Sequence, residues 1–217
     1  MSLSAATAAL AQSLPQGVSF AVQDPRSEVA GLFEQETAHI ARAVPKRQRE
    51  FAAGRRAARA ALAALGQGAC PILSHSSRAP VWPRGFIGSI THCDDLCFAL
   101  CAQAHSFQSI GCDVEELDPM SDAVVEAVTL PAERLWLAEQ NVLQPVHLFS
   151  AKEAVYKALF PVTGQMIGFS DVQICAVSSG RLRATLLIPV GAFDQGATFT
   201  VQSLTLESHV IHICLVL

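Results

Sequence analysis

The stretch IGCDVEEL, residues 110–117, combines an apolar run with three carboxylates. In a β-strand, successive side chains point to opposite faces. Every second residue from Ile110 to Val114 would then face a hydrophobic core, whereas Asp113 and Glu115 would share the other face about 7 Å apart. Two like charges this close repel each other unless a cation lies between them. The stretch therefore predicts a buried strand with a cation-binding face.

Composition limits the classes of protein to which the chain can belong. It has 217 residues, of which 51% are hydrophobic, enough for one large domain or two small ones. A net charge of −4 gives no basic signature for nucleic acid. We find no apolar segment long enough to cross a membrane and no signal peptide, so we expect a cytoplasmic protein. The seven cysteines form no C-x-x-C pair, which favours small buried hydrophobic residues over a metal or redox site.

Apolar patterns with strand and helix periods alternate along the chain. Strands are predicted at 17–23, 97–102, 107–117, 171–177, 181–188, 197–203 and 209–217, and helices at 27–43, 45–66 and parts of 121–160. Pro45 is placed to open the long helix and Gly66 to end it. Each half mixes helices with strands, which is typical of an α+β fold. We expect two units, residues 1–106 and 107–217.

Two arginines of the helix at 45–66 lie in or beside its apolar stripe. At about 100° per residue, Arg47 and Arg55 fall near the core-facing arc, whereas Arg49 and Arg56 fall on the solvent side. The first two side chains could snorkel from the margin of the stripe. Alternatively, they could enter a cleft and bind an anion, phosphate above all, through their paired donors.

The segment at 148–160 places a carboxylate among aromatic residues. Glu153 shares a helical face with Phe149 and Phe160, and Lys157 follows one turn later. An exposed Glu–Lys pair of this spacing contributes only about 0.2–0.5 kcal/mol. The aromatic residues, however, predict that this face is buried, where a carboxylate needs a partner or a function.

A loop rich in proline and glycine, RAPVWPRGFIGSITHC at 78–93, runs into a short strand that ends at Thr91 and His92. A strand end can present both side chains to a ligand. Three carboxylates, Asp113, Glu115 and Glu153, form an all-oxygen set that suits Mg²⁺. Magnesium commonly shares such a site with substrate phosphates, and five basic side chains could hold them: Arg47, Arg55, Arg78, His92 and Lys157.

Taken together, these segments resemble the 4′-phosphopantetheinyl transferases of the Sfp type, and within that group the subgroup of enterobactin synthase component D. The motifs that carry the resemblance are REFAAGRRAARAAL (49–62), RAPVWPRG (78–85), GSITHC (88–93), GCDVEEL (111–117) and FSAKEAVYKAL (149–159). The resemblance implies a monomer of two similar α/β halves related by a pseudo-twofold axis, with coenzyme A bound between them.

The resemblance also implies a reaction. The 4′-phosphopantetheine moiety of coenzyme A would pass to a serine hydroxyl of an apo acyl or peptidyl carrier protein, with release of 3′,5′-ADP, for nonribosomal peptide, siderophore or polyketide synthesis. Asp113, Glu115 and Glu153 would bind Mg²⁺, and Glu153 would also act as the base. Lys157 would stabilise the leaving group. The residues implied to contact coenzyme A are Arg47, Arg55, Arg78, Thr91, His92, Asp113, Lys152 and Lys157.

Two other functions fit parts of the pattern. A magnesium-dependent phosphohydrolase acting on a pyrophosphate like that of coenzyme A could use the same carboxylates with water as the nucleophile. A non-catalytic module that binds coenzyme A or a carrier would keep the basic residues, but would not need Glu153 and Lys157 in register.

Overall fold

The computed structural model describes residues 3–139, 143–178 and 180–217. Its helices are α1 Leu3–Ser13, α2 Glu34–Ile40, α3 Pro45–Ala64, α4 Asp122–Val128, α5 Pro131–Ala138 and α6 Pro145–Thr163, with a 3₁₀ turn at Phe169–Asp171. Its strands are β1 Val18–Gln23, β2 Leu73–Ser74, β3 Pro80–Val81, β4 Phe86–His92, β5 Cys97–Gln103, β6 Ser109–Glu116, β7 Val172–Ser178, β8 Arg181–Leu186, β9 Thr198–Thr205 and β10 His209–Val216. None of the described helices is both long and apolar enough to span a membrane.

The strands form two antiparallel sheets and one short hairpin. The smaller sheet has the order β1-β5-β4, the larger one β6-β10-β9-β8-β7, and β2 pairs with β3. Every predicted strand is present, and the long helix opens at Pro45 as predicted. The mixed α+β class is therefore confirmed.

The predicted helix at 27–43 is wrong for its first half, because only Glu34–Ile40 is helical. Gly31 adopts a left-handed conformation with φ of 70°, which ends any regular helix there. The backbone carbonyls of this segment instead accept hydrogen bonds from side chains of α3. Arg56 Nη1 donates to the backbone oxygens of Glu28 and Ala30, and Arg59 donates to that of Gly31.

Strand β6 has the two predicted faces. Its even-numbered residues, Ile110 to Val114, are buried in a core that the two sheets share. Its other face lies against α6 at very short range. A Cβ atom added to Gly111 would lie 2.0 Å from the backbone oxygen of Ala154 and 2.4 Å from the backbone nitrogen of Ala158. Glycine at this position therefore sets the distance between helix and strand.

The predicted burial of α6 is wrong by about half a turn of the helix. Its fully buried side chains include Leu148, Ala151 and Val155, on the side opposite the aromatic residues. Phe149 is half-buried at the margin and packs on Phe169 with ring centroids 5.4 Å apart. The small alanines face the sheet because they allow the close approach at Gly111. The large aromatic residues therefore do not mark the buried face of α6, contrary to the prediction from periodicity.

Most cysteines behave as predicted. Four of them, Cys97, Cys101, Cys112 and Cys214, are buried and take part in the apolar core. Burial raises the pKa of the Cys112 thiol to about 12, and the same cause acts on the other three. These side chains are therefore protonated, inert packing groups.

Two buried glutamates brace the fold in the same manner. Glu36, the third residue of α2, accepts a hydrogen bond from the backbone N–H of Phe33 at 2.9 Å. Its other oxygen accepts from the backbone N–H of Ile72 at 2.8 Å and pairs with Arg59 at 2.6 Å. The carboxylate is fully buried, so these donors replace the water that it loses.

Glu133 repeats this arrangement in the C-terminal half. It is the third residue of α5, and it accepts from the backbone N–H groups of Leu130 at 2.7 Å and Ile174 at 2.6 Å. Lys152, on α6, supplies the cation at 2.7 Å. A buried pair of this kind is costly to break from one side, because the remaining charge would be left without a partner.

Candidate active site

Strands β4 and β6 and helix α6 bring three predicted site residues into direct contact. Lys157 Nζ donates to Asp113 Oδ1 at 2.6 Å and to Thr91 Oγ1 at 3.2 Å. Thr91 Oγ1 in turn donates to Asp113 Oδ1 at 2.9 Å. Asp113 is only 2% exposed, so one of its carboxylate oxygens is held by a hydroxyl and an ammonium out of water.

Backbone features place these side chains. The N–H of Cys112 donates to Ser89 Oγ at 3.1 Å, which fixes β4 beside β6 and brings Thr91 to Asp113. On the other side, the close approach of α6 at Gly111 brings Lys157 within reach of the same carboxylate. The site thus follows from packing that the core residues dictate.

The three predicted metal ligands influence one another electrostatically. Burial, then repulsion by Asp113, raises the pKa of Glu115 to about 7, against the attraction of Lys157 and with a further contribution from Glu153. Burial also raises the pKa of Glu153; Lys157 opposes this and Asp113 adds to it. The three carboxylates therefore form one group of repelling charges, of which Lys157 compensates only a part.

Asp113 retains an unused ligand atom. Its second oxygen, Oδ2, is buried and has no hydrogen-bond partner among the described residues. A buried carboxylate oxygen without a donor is unfavourable unless a cation occupies the space beside it. Glu115 and Glu153 are coupled to it electrostatically, and the all-oxygen chemistry of the three carboxylates fits Mg²⁺. Among the described residues, however, the one group whose ligand atoms all lie within 4.8 Å of one another is a different one.

Arg47 and His92 meet beside a residue that the sequence argument missed. Arg47 Nη1 lies 3.0 Å from His92 Nε2 and 3.2 Å from Glu50 Oε2. Burial lowers the pKa of His92, Glu50 opposes this, and the cations Arg47 and Lys157 add to it. Glu50 stands one helical turn after Arg47, and that spacing was the available signal. Thr91 and His92, adjacent in sequence, thus connect the arginine to the Asp113 contact.

Arg55 lies in the apolar arc of α3, as predicted, and is 5% exposed. Its Nε donates to the backbone oxygen of Ile72 at 2.7 Å, and its Nη2 donates to Ser74 Oγ at 2.9 Å. The guanidinium lies over the ring of Phe51, and burial lowers its pKa to about 10. Arg55 therefore anchors the base of the β2–β3 hairpin.

Arg78 stands at the exposed tip of that hairpin. It is the one described non-glycine residue with a positive φ, 68°. Its backbone N–H donates to the oxygen of His75 at 2.8 Å, and the N–H of His75 donates to the oxygen of Ala79 at 2.8 Å. A left-handed backbone conformation is unfavourable for arginine, so the turn is strained at Arg78. The side chain of Arg78 lies in solvent.

Lys152 does not support the expected phosphate contact. Its Nζ donates to the backbone oxygens of Val128 at 3.0 Å and Phe169 at 2.8 Å, besides its ion pair with Glu133. These acceptors use the three N–H groups of the ammonium, which is 2% exposed. We therefore assign Lys152 to the stability of the fold.

Cavities border the carboxylates on two sides. One of about 330 Å³ is lined by Glu115, Glu116 and Phe149 among others. A second, of about 190 Å³, is lined by Glu153, Tyr156 and Met166 among others. Glu115 and Glu153, on opposite sides, thus each border a cavity that a ligand can enter.

Comparison with known proteins decides the family. The chain matches the model of the 4′-phosphopantetheinyl transferase N-terminal domain at residues 35–102 and that of the 4′-phosphopantetheinyl transferase superfamily at 109–214. It is 44% identical over 171 residues to 4′-phosphopantetheinyl transferase Svp of Streptomyces mobaraensis, covering 76% of this chain and 70% of the relative. The chain belongs to the 4′-phosphopantetheinyl transferases.

Further relatives agree with this family. 4′-Phosphopantetheinyl transferase Npt of Nocardia iowensis is 37% identical over 197 residues, 85% of this chain and 87% of the relative. Enterobactin synthase component D of Escherichia coli strain K12 is 36% identical over 142 residues, 63% of this chain and 66% of the relative. The chain is thus a transferase of the Sfp-type family, whose members act on coenzyme A and carrier-protein domains. The phosphohydrolase alternative finds no support in these matches.

Proposed function

We propose that this transferase moves the 4′-phosphopantetheine moiety of coenzyme A to the serine hydroxyl of an apo acyl or peptidyl carrier protein, with release of 3′,5′-ADP, using the residues around Asp113. The observation that carries the site assignment is the buried Asp113 carboxylate, which shares one oxygen with Lys157 and keeps the other unpartnered among the described residues. In the reaction, the serine oxygen forms a bond to the β-phosphorus of coenzyme A, and the bond from that phosphorus to the oxygen bridging the two phosphates breaks.

Asp113, Glu115 and Glu153 are the residues that would hold Mg²⁺. When bound, Mg²⁺ supplies neutralisation of the charge on the coenzyme A pyrophosphate. The proposal is supported by the orphaned Asp113 Oδ2 and by the raised pKa values of Glu115 and Glu153, which burial causes chiefly and to which repulsion by Asp113 adds.

Glu153 would accept the proton of the carrier serine as the new P–O bond forms. Burial raises the pKa of this carboxylate, which makes it a better base than an exposed glutamate. Lys157 would stabilise the negative charge that develops on the leaving 3′,5′-ADP. Burial lowers the pKa of Lys157, but attraction to Asp113 and the hydrogen bond between them outweigh this effect and raise it, so the ammonium stays charged.

The phosphates of coenzyme A would lie along the basic residues that border this contact. Thr91 and His92 stand at the end of β4, and the 46% exposed side chain of Arg47 reaches His92. Arg78 would contribute from the hairpin, whose base Arg55 secures. Arg55 itself keeps guanidinium N–H groups beyond the two that Ile72 and Ser74 accept.

We assign the chain to two halves, residues 1–106 and 107–217, related by a pseudo-twofold axis. The number of residues between Glu36 and Glu133 is the same as that between Arg55 and Lys152. These pairs support the assignment, because both glutamates cap a short helix and accept a backbone N–H, and both cations are buried on a long helix. The two matched family models fall on either side of residue 106.

We infer a monomer with coenzyme A bound between its halves, as the resemblance to the family implies. The likeness to enterobactin synthase component D points to carriers of siderophore synthesis, and the transferases Svp and Npt leave other carriers of secondary metabolism open.

Mass spectrometry of an apo-carrier tests the function. Incubation with the protein, coenzyme A and Mg²⁺ should add the mass of one 4′-phosphopantetheine group to the carrier, and a carrier with its acceptor serine changed to alanine should stay unmodified. Release of 4′-phosphopantetheine without carrier modification would instead indicate the phosphohydrolase.

A further inference from the structure

A second group of potential metal ligands lies outside the predicted carboxylate set. Cys93 and Asp95 belong to the turn between β4 and β5, Glu116 ends β6, and His209 begins β10. One ligand atom from each, the thiol sulfur, a ring nitrogen or a carboxylate oxygen, lies within 4.8 Å of all the others. Three separate segments of the chain therefore converge on one point.

The histidine is oriented as metal-binding histidines are. Its Nδ1 lies 2.8 Å from Ser208 Oγ, which leaves Nε2 directed at the group, 2.6 Å from Asp95 Oδ1. A ring held through its second nitrogen is the usual support of a metal-binding imidazole. The side chain of His209 is 10% exposed, so its orientation is set by the protein.

The thiol of Cys93 and the carboxylate of Glu116 also face this group. Cys93 Sγ lies 3.7 Å from Asp95 Oδ1. Glu116 Oε1 accepts a hydrogen bond from the backbone N–H of Asp94 at 3.1 Å, which turns this carboxylate toward the same turn. Glu116 and Cys93 both line the cavity of about 330 Å³, so an ion has a route to them.

Two of the ligand–ligand distances can be compared with those of a tetrahedral zinc site. With zinc–sulfur and zinc–oxygen bonds of about 2.3 and 2.1 Å, the two ligand atoms lie about 3.6 Å apart, near the 3.7 Å between Cys93 and Asp95. The nitrogen and oxygen ligands would lie about 3.4 Å apart. The present 2.6 Å between His209 and Asp95 must therefore widen by less than about 1 Å, which requires a small rotation of the 39% exposed Asp95 side chain.

We propose that Cys93, Asp95, Glu116 and His209 form a binding site for a Zn²⁺ ion. Sulfur and imidazole ligands favour zinc over the hard Mg²⁺ that suits Asp113 and its neighbours. Burial raises the pKa of Cys93 to about 12, so its thiol is protonated in the metal-free protein, and binding releases that proton to solvent. Zinc binding at this site requires neither coenzyme A nor carrier.

Occupancy would join parts of the chain that are distant in sequence. The turn at 93–96 belongs to the small sheet, and His209 begins a central strand of the large one. An ion that binds the folded state alone stabilises it by mass action. At zinc concentrations about a hundredfold above Kd, the melting temperature should rise by about 5–10 °C.

The direct test is the absorption spectrum of the full-length, tag-free protein with Co²⁺, after removal of metals and under reducing conditions. A site with one thiolate gives a sulfur-to-cobalt charge-transfer band and intense visible bands of tetrahedral cobalt, and Zn²⁺ should abolish both at one equivalent. Absence of the charge-transfer band in the wild-type protein would overturn the proposal, and this result depends on no variant.

Variants locate the ion. Cys93→Ser should remove the charge-transfer band and weaken Zn²⁺ at least tenfold in competition with a chromophoric chelator, and His209→Gln should weaken it similarly. Cys175→Ser, at a half-buried cysteine on the far edge strand of the large sheet, is the matched control and should bind as wild type. Glu153→Gln should also bind as wild type. Loss in Glu153→Gln with retention in Cys93→Ser would place zinc among the other carboxylates and refute the assignment.

Discussion

Lys157 and Asp113 form an ion pair in which Nζ lies 2.6 Å from Oδ1, with side-chain exposures of 27% and 3%. The pair occupies one carboxylate oxygen and leaves Asp113 Oδ2 without a partner among the described residues. Because Glu115 and Glu153 repel the same carboxylate, one lysine does not balance the three acids. We propose that Mg²⁺ supplies the missing positive charge.

Removal of Asp113 should therefore remove the response to magnesium. The wild-type melting temperature should rise with millimolar Mg²⁺, whereas that of Asp113→Ala should not change, because the variant lacks the central ligand. Differential scanning calorimetry with and without Mg²⁺ measures both. Asp194→Ala, at an exposed loop residue, is the control and should respond as wild type. A normal magnesium response in Asp113→Ala would remove this residue from the metal site.

Gly111→Ala should destabilise the protein severely. The added methyl group would lie 2.0 Å from the backbone oxygen of Ala154, which cannot move without displacing α6 from β6. We expect a loss of about 3 kcal/mol or more in the free energy of unfolding, measured by urea denaturation. Gly68→Ala is the control, since its methyl group would meet none of the described atoms within 4 Å. Similar midpoints for the two variants would contradict the close packing.

Two substitutions of Arg78 separate its effect on the stability of the fold from its effect on coenzyme A binding. Arg78→Gly should raise the melting temperature by about 2–4 °C, because glycine relieves a left-handed strain of about 1 kcal/mol. Arg78→Ala keeps the strain and should give no such gain. Both variants lose the guanidinium, so both should bind coenzyme A more weakly in calorimetric titration. Unchanged affinity in both would exclude Arg78 from the phosphate site.

Acid should destabilise the fold through His212. Burial lowers the pKa of this ring to about 3, with a further effect of His147, and the ring lies between Ser150 and Ser203. The unfolded chain binds a proton near pH 6.5 and the folded one does not, so stability is fully present above that pH. It falls by up to about 1.4 kcal/mol per pH unit between about pH 6.5 and pH 3.

His212→Gln should flatten this part of the dependence in urea denaturation across the same range, because glutamine does not titrate. The pKa of His147 is also lowered by burial, so a smaller slope of the same sign should persist. An unaltered slope in the variant would show that His212 does not cause the acid sensitivity.

The sequence predicted those features that depend on the period of a strand or on the chemistry of ligands. The two faces of β6 followed from alternation, and the contact of Asp113 with Thr91 and Lys157 agrees with the grouping of these residues. The burial of α6 could not be predicted from hydrophobicity, because close packing at Gly111 selects alanines over phenylalanines.

Other features depend on contacts that no local pattern encodes. The charge of Lys152 is used by Glu133, 19 positions earlier, so a lysine within a site motif serves the fold instead. The residues at 27–33 are irregular because their carbonyls accept hydrogen bonds from Arg56 and Arg59 of another helix. The cluster of Cys93 with His209 joins residues more than a hundred positions apart, and alternation along one strand cannot reveal it.

The role of Glu153 in turnover is the most direct test of the account. Glu153→Gln preserves the shape and hydrogen-bonding capacity of the side chain but removes its charge and basicity. Steady-state kinetics with a purified apo-carrier at saturating Mg²⁺ and coenzyme A should show kcat lowered by about 10²-fold or more, within the range of a lost general base, while coenzyme A affinity falls only modestly. An unchanged kcat would mean that Glu153 takes no part in proton transfer, and would contradict the proposed site.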